Sequence, residues 1–380
     1  MSQQALMELT SIIAKRYITS KKKKEKSKIL DEYCANTDLN RKYAINKIRE
    51  FYYKEKIPKK RGRKNIYSSC ADALLVQIWK IFDRICAERL HPYIPEAINV
   101  LSRFGYISSN KEVIDEVLRM SCSTIKRRIS RHRRLNDRML VSTTKPGSLL
   151  KKHLPIKTSC WDESRAGFCE IDLVAHCGGD TSGTFINTLQ FVDIKTTWTE
   201  RKAVMGKAQN RVFKRIKQIR KFLPFQLKGI DSDNGGEFIN HQLVKYCNHE
   251  QIEFTRSRPY MKKDNAHIEQ KNYPLVRKVL GYGRFDTKQQ LNLMNNLYDN
   301  ELRLYLNFFQ PTLKLQNKIR IGSKVKRIYG NAKTPYQRVL ECTDVPQENK
   351  DKLKALYLTL DPIKLKKEID KKIRKIVSTV

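Results

Sequence analysis

Between Ala166 and Leu280 the hydrophobic pattern changes period, and this change restricts the fold more than any other feature of the chain. Short apolar runs with period-two alternation predict strands over 167–175, 184–194 and 197–204, with a turn at Gly178-Gly179-Asp180, as an antiparallel meander. Apolar residues at 3.6 spacing (Val212, Ile216, Ile219, Leu223) predict a helix over 207–222. A strand over 225–230, a helix over 238–250, a strand over 252–256 and a helix over 264–280 follow. The order βββαβαβα fits a mixed five-stranded sheet with helices on its faces.

The flanks read differently. Helical spacing over 4–18, 26–34 and 40–51, with a turn at Ala35-Asn36-Thr37-Asp38 before a basic third helix, resembles a helix-turn-helix unit, so residues 1–55 are expected to bind DNA. Residues 56–68 are a basic linker. Its Arg61-Gly62-Arg63 resembles a minor-groove hook, in which glycine allows close approach and both arginines enter a narrow A·T groove; a solvated linker touching phosphates is the alternative. A second helical, helix-turn-helix-like unit is expected over 69–135. Its long first helix carries Ala73 to Ile85, and a Ser121-Cys122-Ser123-Thr124 cap precedes Lys126, Arg127 and Arg128 on a candidate recognition helix. Pro146-Gly147 marks a turn in a linker over 136–160. Residues 161–285 form the α/β core, and 286–380 a basic, mostly helical C-terminal region. There a helix is expected over 286–309, a basic strand-like run over 319–329, and helices over 347–357 and 362–377.

Charge points to the partner. The chain has 77 Lys and Arg against 39 Asp and Glu, a formal +38 over 380 residues, spread along its whole length. Such a chain is expected to bind a polyanion, and nucleic acid is the first candidate. Nine cysteines without a CxxC pair suit free thiols in a reducing compartment. Neither a signal-peptide core near Met1 nor a run of membrane-spanning length is seen, so a cytoplasmic protein with no membrane partner is expected.

Three acids on separate elements carry the candidate chemistry. Asp172 lies mid-strand in Glu170-Ile171-Asp172-Leu173. Asp233 lies in Ser232-Asp233-Asn234-Gly235-Gly236-Glu237-Phe238, just after the fourth strand. Glu269 lies in Asn265-Ala266-His267-Ile268-Glu269-Gln270-Lys271-Asn272, on the last helix. Asp231 rivals Asp233, since residues two apart on a strand share a face; its position relative to Asn234-Gly235 favours Asp233. Glu170 ranks behind Asp172 in the same way. Glu237 is expected as a helix N-terminal acid and Asp193 as a strand-end turn acid. Lys262, Lys263, Asn265, Lys271 and Arg277 flank the site as expected DNA contacts.

These pieces, with Arg258-Pro259-Tyr260 between them, resemble the catalytic core of DDE integrases and transposases. The 35 residues separating Asp233 from Glu269 match the gap of retroviral integrases and related bacterial insertion-sequence transposases. The chain departs from retroviral integrases at its front, which has no His/Cys zinc module and so places it nearer the bacterial enzymes. The resemblance implies a ribonuclease H-like core in which Asp172, Asp233 and Glu269 are catalytic and hold two Mg²⁺ ions, with Mn²⁺ able to substitute. It implies a DNA transposase that cleaves 3′ ends and transfers strands of a mobile element into target DNA. Assembly as at least a dimer on DNA, and a nucleoid-associated place in a bacterial cell, go with that reading. A DNA-binding regulator without chemistry and a structure-selective nuclease are the alternatives.

Overall fold

The computed structural model describes residues 3–54, 66–108, 110–132, 165–233, 235–257, 268 and 272–379. They form two compact units, Met1–Ile66 and Tyr67–Val380. The first packs helices α1 (Gln3–Thr19), α2 (Lys23–Thr37) and α3 (Arg41–Lys54) around Ile13, Ile29, Leu30, Tyr33, Ala44 and Ile48. Helix α2 continues past the expected break at residue 35. Asn36 and Thr37 bond back to the carbonyls of Glu32 and Tyr33, and the chain turns only at Asp38, in the left-handed region at φ 55°. Arg61 and Arg63 lie outside the described residues.

The second unit begins with α4 (Ser69–Ile81), α5 (Ala87–Leu90), α6 (Ile94–Arg103), α7 (Lys111–Leu118) and α8 (Cys122–Ser130). The long helix expected through Ile85 stops at Ile81. Asp83 and Arg84 take positive φ, and the Arg84 N–H bonds the Trp79 carbonyl 2.8 Å away. The Trp79 indole then donates to the Ile85 carbonyl, so the apolar residues after the break still fill the core. Ser121 caps α8 as expected, accepting from the Thr124 N–H.

Five strands form the expected mixed sheet: β1 (Phe168–Ala175), β2 (Ile186–Asp193), β3 (Thr199–Met205), β4 (Gly229–Ser232) and β5 (Glu253–Arg256). Their order is β3-β2-β1-β4-β5, with β1 antiparallel to β2, β2 antiparallel to β3, and β4 and β5 parallel to β1. Helices α9 (Gln209–Arg220) and α10 (His241–His249) provide the crossovers that parallel pairing needs. Strand β4 starts four residues later than the apolar run at 225 predicts. Phe225 and Leu227 are buried, but the β1 ladder opens only at Phe168, whose partner is Gly229.

Beyond the sheet, a π-helical turn (Tyr273–Arg277) runs into α11 (Lys278–Leu280). The expected helix over 286–309 appears as α12 (Lys288–Leu297), a second π-helical stretch (Tyr298–Leu302) and α13 (Arg303–Phe309). It seals the open edge of the sheet. Asn295 pairs through its side-chain amide with both backbone groups of Ala203, and Asn307 does the same with Thr199, at 2.9–3.1 Å. An edge strand that would otherwise offer free N–H and C=O groups is thereby covered. The basic run expected at 319–329 belongs to a two-stranded hairpin, β6 (Leu315–Ile321) and β7 (Lys324–Tyr329), because Gly322 at φ 59° permits a two-residue turn.

Helices α14 (Pro335–Glu341), α15 (Gln347–Thr359) and α16 (Pro362–Ser378) complete the unit. Phe308, Phe309, Tyr336 and Tyr357 cluster with ring centroids 4.7–6.1 Å apart. Tyr305 and Tyr106 donate to the Ile81 carbonyl and the Asp361 carboxylate. Residues of the helical stretch 69–132, the sheet and the C-terminal helices thus share one buried core. No described helix is long and apolar enough to cross a membrane, and the described cysteines are all free thiols.

Candidate active site

The central strand positions two acids and β4 two more. Glu170 and Asp231 are partners in the parallel β1–β4 ladder, and Ile171 and Ser232 form its last rung. Asp172 and Asp233 each lie one residue past that rung, where neighbouring strands run about 4.8 Å apart. Alternation puts Glu170 and Asp172 on one face of the sheet.

The two rows differ in burial and use. Glu170 and Asp231 are fully buried. Asp231 accepts from the Thr255 hydroxyl at 2.6 Å, tying β4 to β5. Glu170 accepts from the backbone N–H of Ile268 at 2.8 Å. Asp172 and Asp233 keep partial exposure. Asp172 accepts from the Leu173 N–H at 2.7 Å and, through its second oxygen, from the Asn272 amide at 2.6 Å. Both acids of β1 therefore take a hydrogen bond from residues far along the chain, Glu170 from Ile268 and Asp172 from Asn272. Glu269 itself, with Lys262, Lys263, Asn265 and Lys271, lies outside the described residues.

Electrostatics link Asp172 and Asp233. Burial raises the Asp172 carboxyl above its ordinary range, against the opposing effect of the Asn272 amide and the Leu173 N–H. Asp233 is pushed up to about 6, first by burial and then by the charge of Asp172, while the Gly235 N–H at 2.9 Å opposes the shift. A carboxylate whose proton affinity is raised by a neighbouring carboxylate, as that of Asp233 is by Asp172, makes a natural seat for a cation. Hard oxygen donors of this kind fit Mg²⁺ or Mn²⁺. Among the described residues no group of three or more such ligands converges. Asp172 and Asp233 are brought together, and the third expected ligand is not among those residues.

The sequence pattern misplaces Glu237. It is not in the first turn of α10, because Asn240 caps that helix by accepting from the Leu243 N–H. Glu237 instead sits in the preceding turn, where its charge raises both Asp172 and Asp233 and Lys207 pairs with it at 3.6 Å. Gly235 makes room for this arrangement, since a Cβ there would lie 2.7–2.9 Å from the carboxyl groups of Glu237 and Asp233. Asn240 was the available signal, as asparagine is a strong N-cap residue. Asn272 also escaped the sequence reading. Replacing it with alanine is expected to lower any activity that uses Asp172 roughly 10- to 100-fold while leaving the melting temperature little changed, because it orients Asp172 rather than filling the core. Full activity in Asn272→Ala would remove it from the site.

No family model matches the chain. The uncharacterized protein y4rM of Sinorhizobium fredii (strain NBRC 101917 / NGR234) is 36% identical over 332 residues, which span 87% of this chain and 94% of y4rM. The chain belongs to the y4rM family. Among solved structures, the HTLV-2 integrase catalytic core domain in complex with magnesium (dimeric form) is 14% identical, with TM-score 0.29, over 39% of this chain and 91% of that one. The BIV integrase catalytic core domain is 16% identical, with TM-score 0.31, over 46% of this chain and 94% of that one.

In this y4rM-family chain the expected DNA contacts that are described have unequal freedom. Arg128 pairs with Asp72 and lies over the Tyr67 ring, with a side chain only 12% exposed. Lys126 pairs with Glu88 at 2.9 Å on the surface, an exposed pair that a phosphate would readily displace. Arg127 is exposed. Arg277 is partly buried over the Tyr282 ring.

Proposed function

We propose that this protein is a DDE-type DNA transposase, a polynucleotidyl transferase that cleaves 3′ ends of a mobile element and joins them to target DNA. The observation that carries this reading is the placement of Asp172 and Asp233 one residue past the last rung of the parallel β1–β4 ladder, with Asp233 raised to about 6 by burial and then by the charge of Asp172. In this reading Asp172, Asp233 and Glu269 would hold two Mg²⁺ ions, which when bound would supply activation of the attacking hydroxyl and stabilisation of the leaving oxygen. The remaining work falls to the chain. Glu170 holds Ile268 and Asp172 holds Asn272 beside β1, Gly235 keeps the turn after β4 tight, and Glu237 with Lys207 sets the charge beside Asp233. The helical units and the positive net charge recruit DNA, and joining two ends calls for at least a dimer.

The test is direct. Purified protein, Mg²⁺ and a labelled duplex carrying the inverted repeats that flank the gene are incubated with a supercoiled target plasmid. Labelled strands covalently joined to the plasmid are expected. Shortened strands without joining would instead identify a nuclease, and an unaltered duplex that is nevertheless bound would identify a regulator.

A further inference from the structure

The hairpin β6–β7 is unlike any other element of the second unit. Its base is fastened to the core: the Gly330 N–H bonds the Lys314 carbonyl at 3.0 Å, Thr312 and Lys333 exchange backbone bonds, and Arg338 donates to the Thr312 carbonyl. Past that base, residues 319–328 hydrogen-bond only within the hairpin, among the described residues. Both faces of the ribbon are open to solvent, although isolated two-stranded hairpins are marginal in water. Ile321 is 67% exposed, and Ile319, Val325 and Tyr329 are 40–50% exposed.

The charge of this ribbon is one-sided. From Lys314 to Tyr329 the sequence carries Lys314, Lys318, Arg320, Lys324, Lys326 and Arg327 and no acid. Among the described residues none of Arg320, Lys324, Lys326 and Arg327 pairs with a carboxylate. The register distributes the cations of this ribbon over both faces. Ile321 pairs with Lys324 and Ile319 with Lys326 on one, while Arg320 pairs with Val325 on the other, which Arg327 shares two residues on.

We infer that β6–β7 is a ribbon that enters the major groove of duplex DNA. That groove is about 12 Å wide and admits a two-stranded ribbon. A ribbon inserted there has a phosphate backbone along each face, which matches cations on both faces better than a single flat surface would. Exposed Ile319, Ile321 and Val325 beside them suit thymine methyls and sugar edges. A second copy of this chain would bring the same positive charge and be repelled. This inference names the surface for the DNA required by the proposed function and rests on that reading.

The experiment uses the full chain in EDTA, so that binding is read without chemistry. The probe is a fluorescent 30-base-pair duplex of arbitrary sequence, followed by anisotropy across a salt series. A variant with Arg320→Glu, Lys324→Glu, Lys326→Glu and Arg327→Glu is expected to bind at least tenfold more weakly. Its slope of log Kd against log salt should fall by about 3, near the value for losing four phosphate contacts. A comparator with Lys367→Glu, Lys371→Glu, Arg374→Glu and Lys375→Glu changes net charge equally on exposed positions of α16 and is expected to lose much less. Equal losses in both variants would overturn the inference, as would unchanged affinity in the hairpin variant. So would a hairpin variant that binds DNA normally but loses self-association in sedimentation. Circular dichroism checks that both variants fold; a misfolded hairpin variant is replaced by Arg320→Ala with Lys326→Ala, for which a loss of at least threefold is expected and none would overturn the inference. The two readings fail separately: protein that binds through the hairpin but joins no ends refutes the transposase, and protein that joins ends with undiminished binding in the variant refutes the ribbon.

Discussion

Replacing Asp233 with asparagine is expected to abolish end joining, lowering its rate roughly a thousandfold or more, while DNA binding is retained. Asparagine has the size of aspartate and keeps an oxygen that can accept from the Gly235 N–H, so the turn after β4 survives. What disappears is the negative charge. Asp233 is raised to about 6 because burial and Asp172 both disfavour its ionised form. Removing that charge relieves a repulsion in the metal-free protein, so the melting temperature should stay level or rise. Loss of activity with unchanged or increased stability is the signature of a ligand, whereas a parallel loss of stability would show a structural role. Isothermal titration with Mn²⁺ gives a second readout: the wild-type protein should bind and Asp233→Asn should bind at least tenfold more weakly. Strand transfer at the wild-type rate in this variant would refute the proposed site.

The largest expected effect on stability lies on the third strand. Glu200 is 3% exposed, accepts from the Trp198 indole at 2.8 Å and pairs with the Arg303 guanidinium at 3.1 Å. Arg303 in turn stacks over Phe222 and donates to its carbonyl. Burial raises the Glu200 carboxyl above its ordinary range, and Arg303 opposes the shift. The ion pair thus joins β3, the end of α9 and α13. Glu200→Ala leaves a guanidinium and an indole N–H in the core without their acceptor. Breaking a buried pair in this way costs about 3–5 kcal/mol, a drop in melting temperature on the order of 10 °C. Calorimetry of the full chain measures it, and a change below about 1 kcal/mol would show that water replaces the carboxylate.

The sheet was largely legible because its strands repeat with period two and its helices with period 3.6 over lengths that local pattern can decide. The misses have specific causes. Strand β4 begins at Gly229 rather than at residue 225 because its ladder partner on β1 begins at Phe168, and pairing across some 60 residues leaves no mark on local periodicity. Glu237 reads as a helix N-terminal acid because the apolar Phe238 and Ile239 follow it, whereas Asn240 delays the helix to His241. Asn295 and Asn307 fall inside the helix expected over 286–309, and helical spacing alone does not show that both are turned onto the edge of β3.

By itself, the sequence determined the period of each strand and helix, the positive charge and the spacing of Asp172, Asp233 and Glu269, since these depend only on residue type and order. Tertiary structure decided which of the paired acids are buried and which stay partly exposed. Glu170 and Asp231 lie on a ladder covered by Ile268 and Thr255, while Asp172 and Asp233 lie one residue past its last rung. Motif position ranks two carboxylates separated by one residue but says nothing of their burial, and the point at which neighbouring strands stop pairing sets their exposure to solvent and to nearby charge.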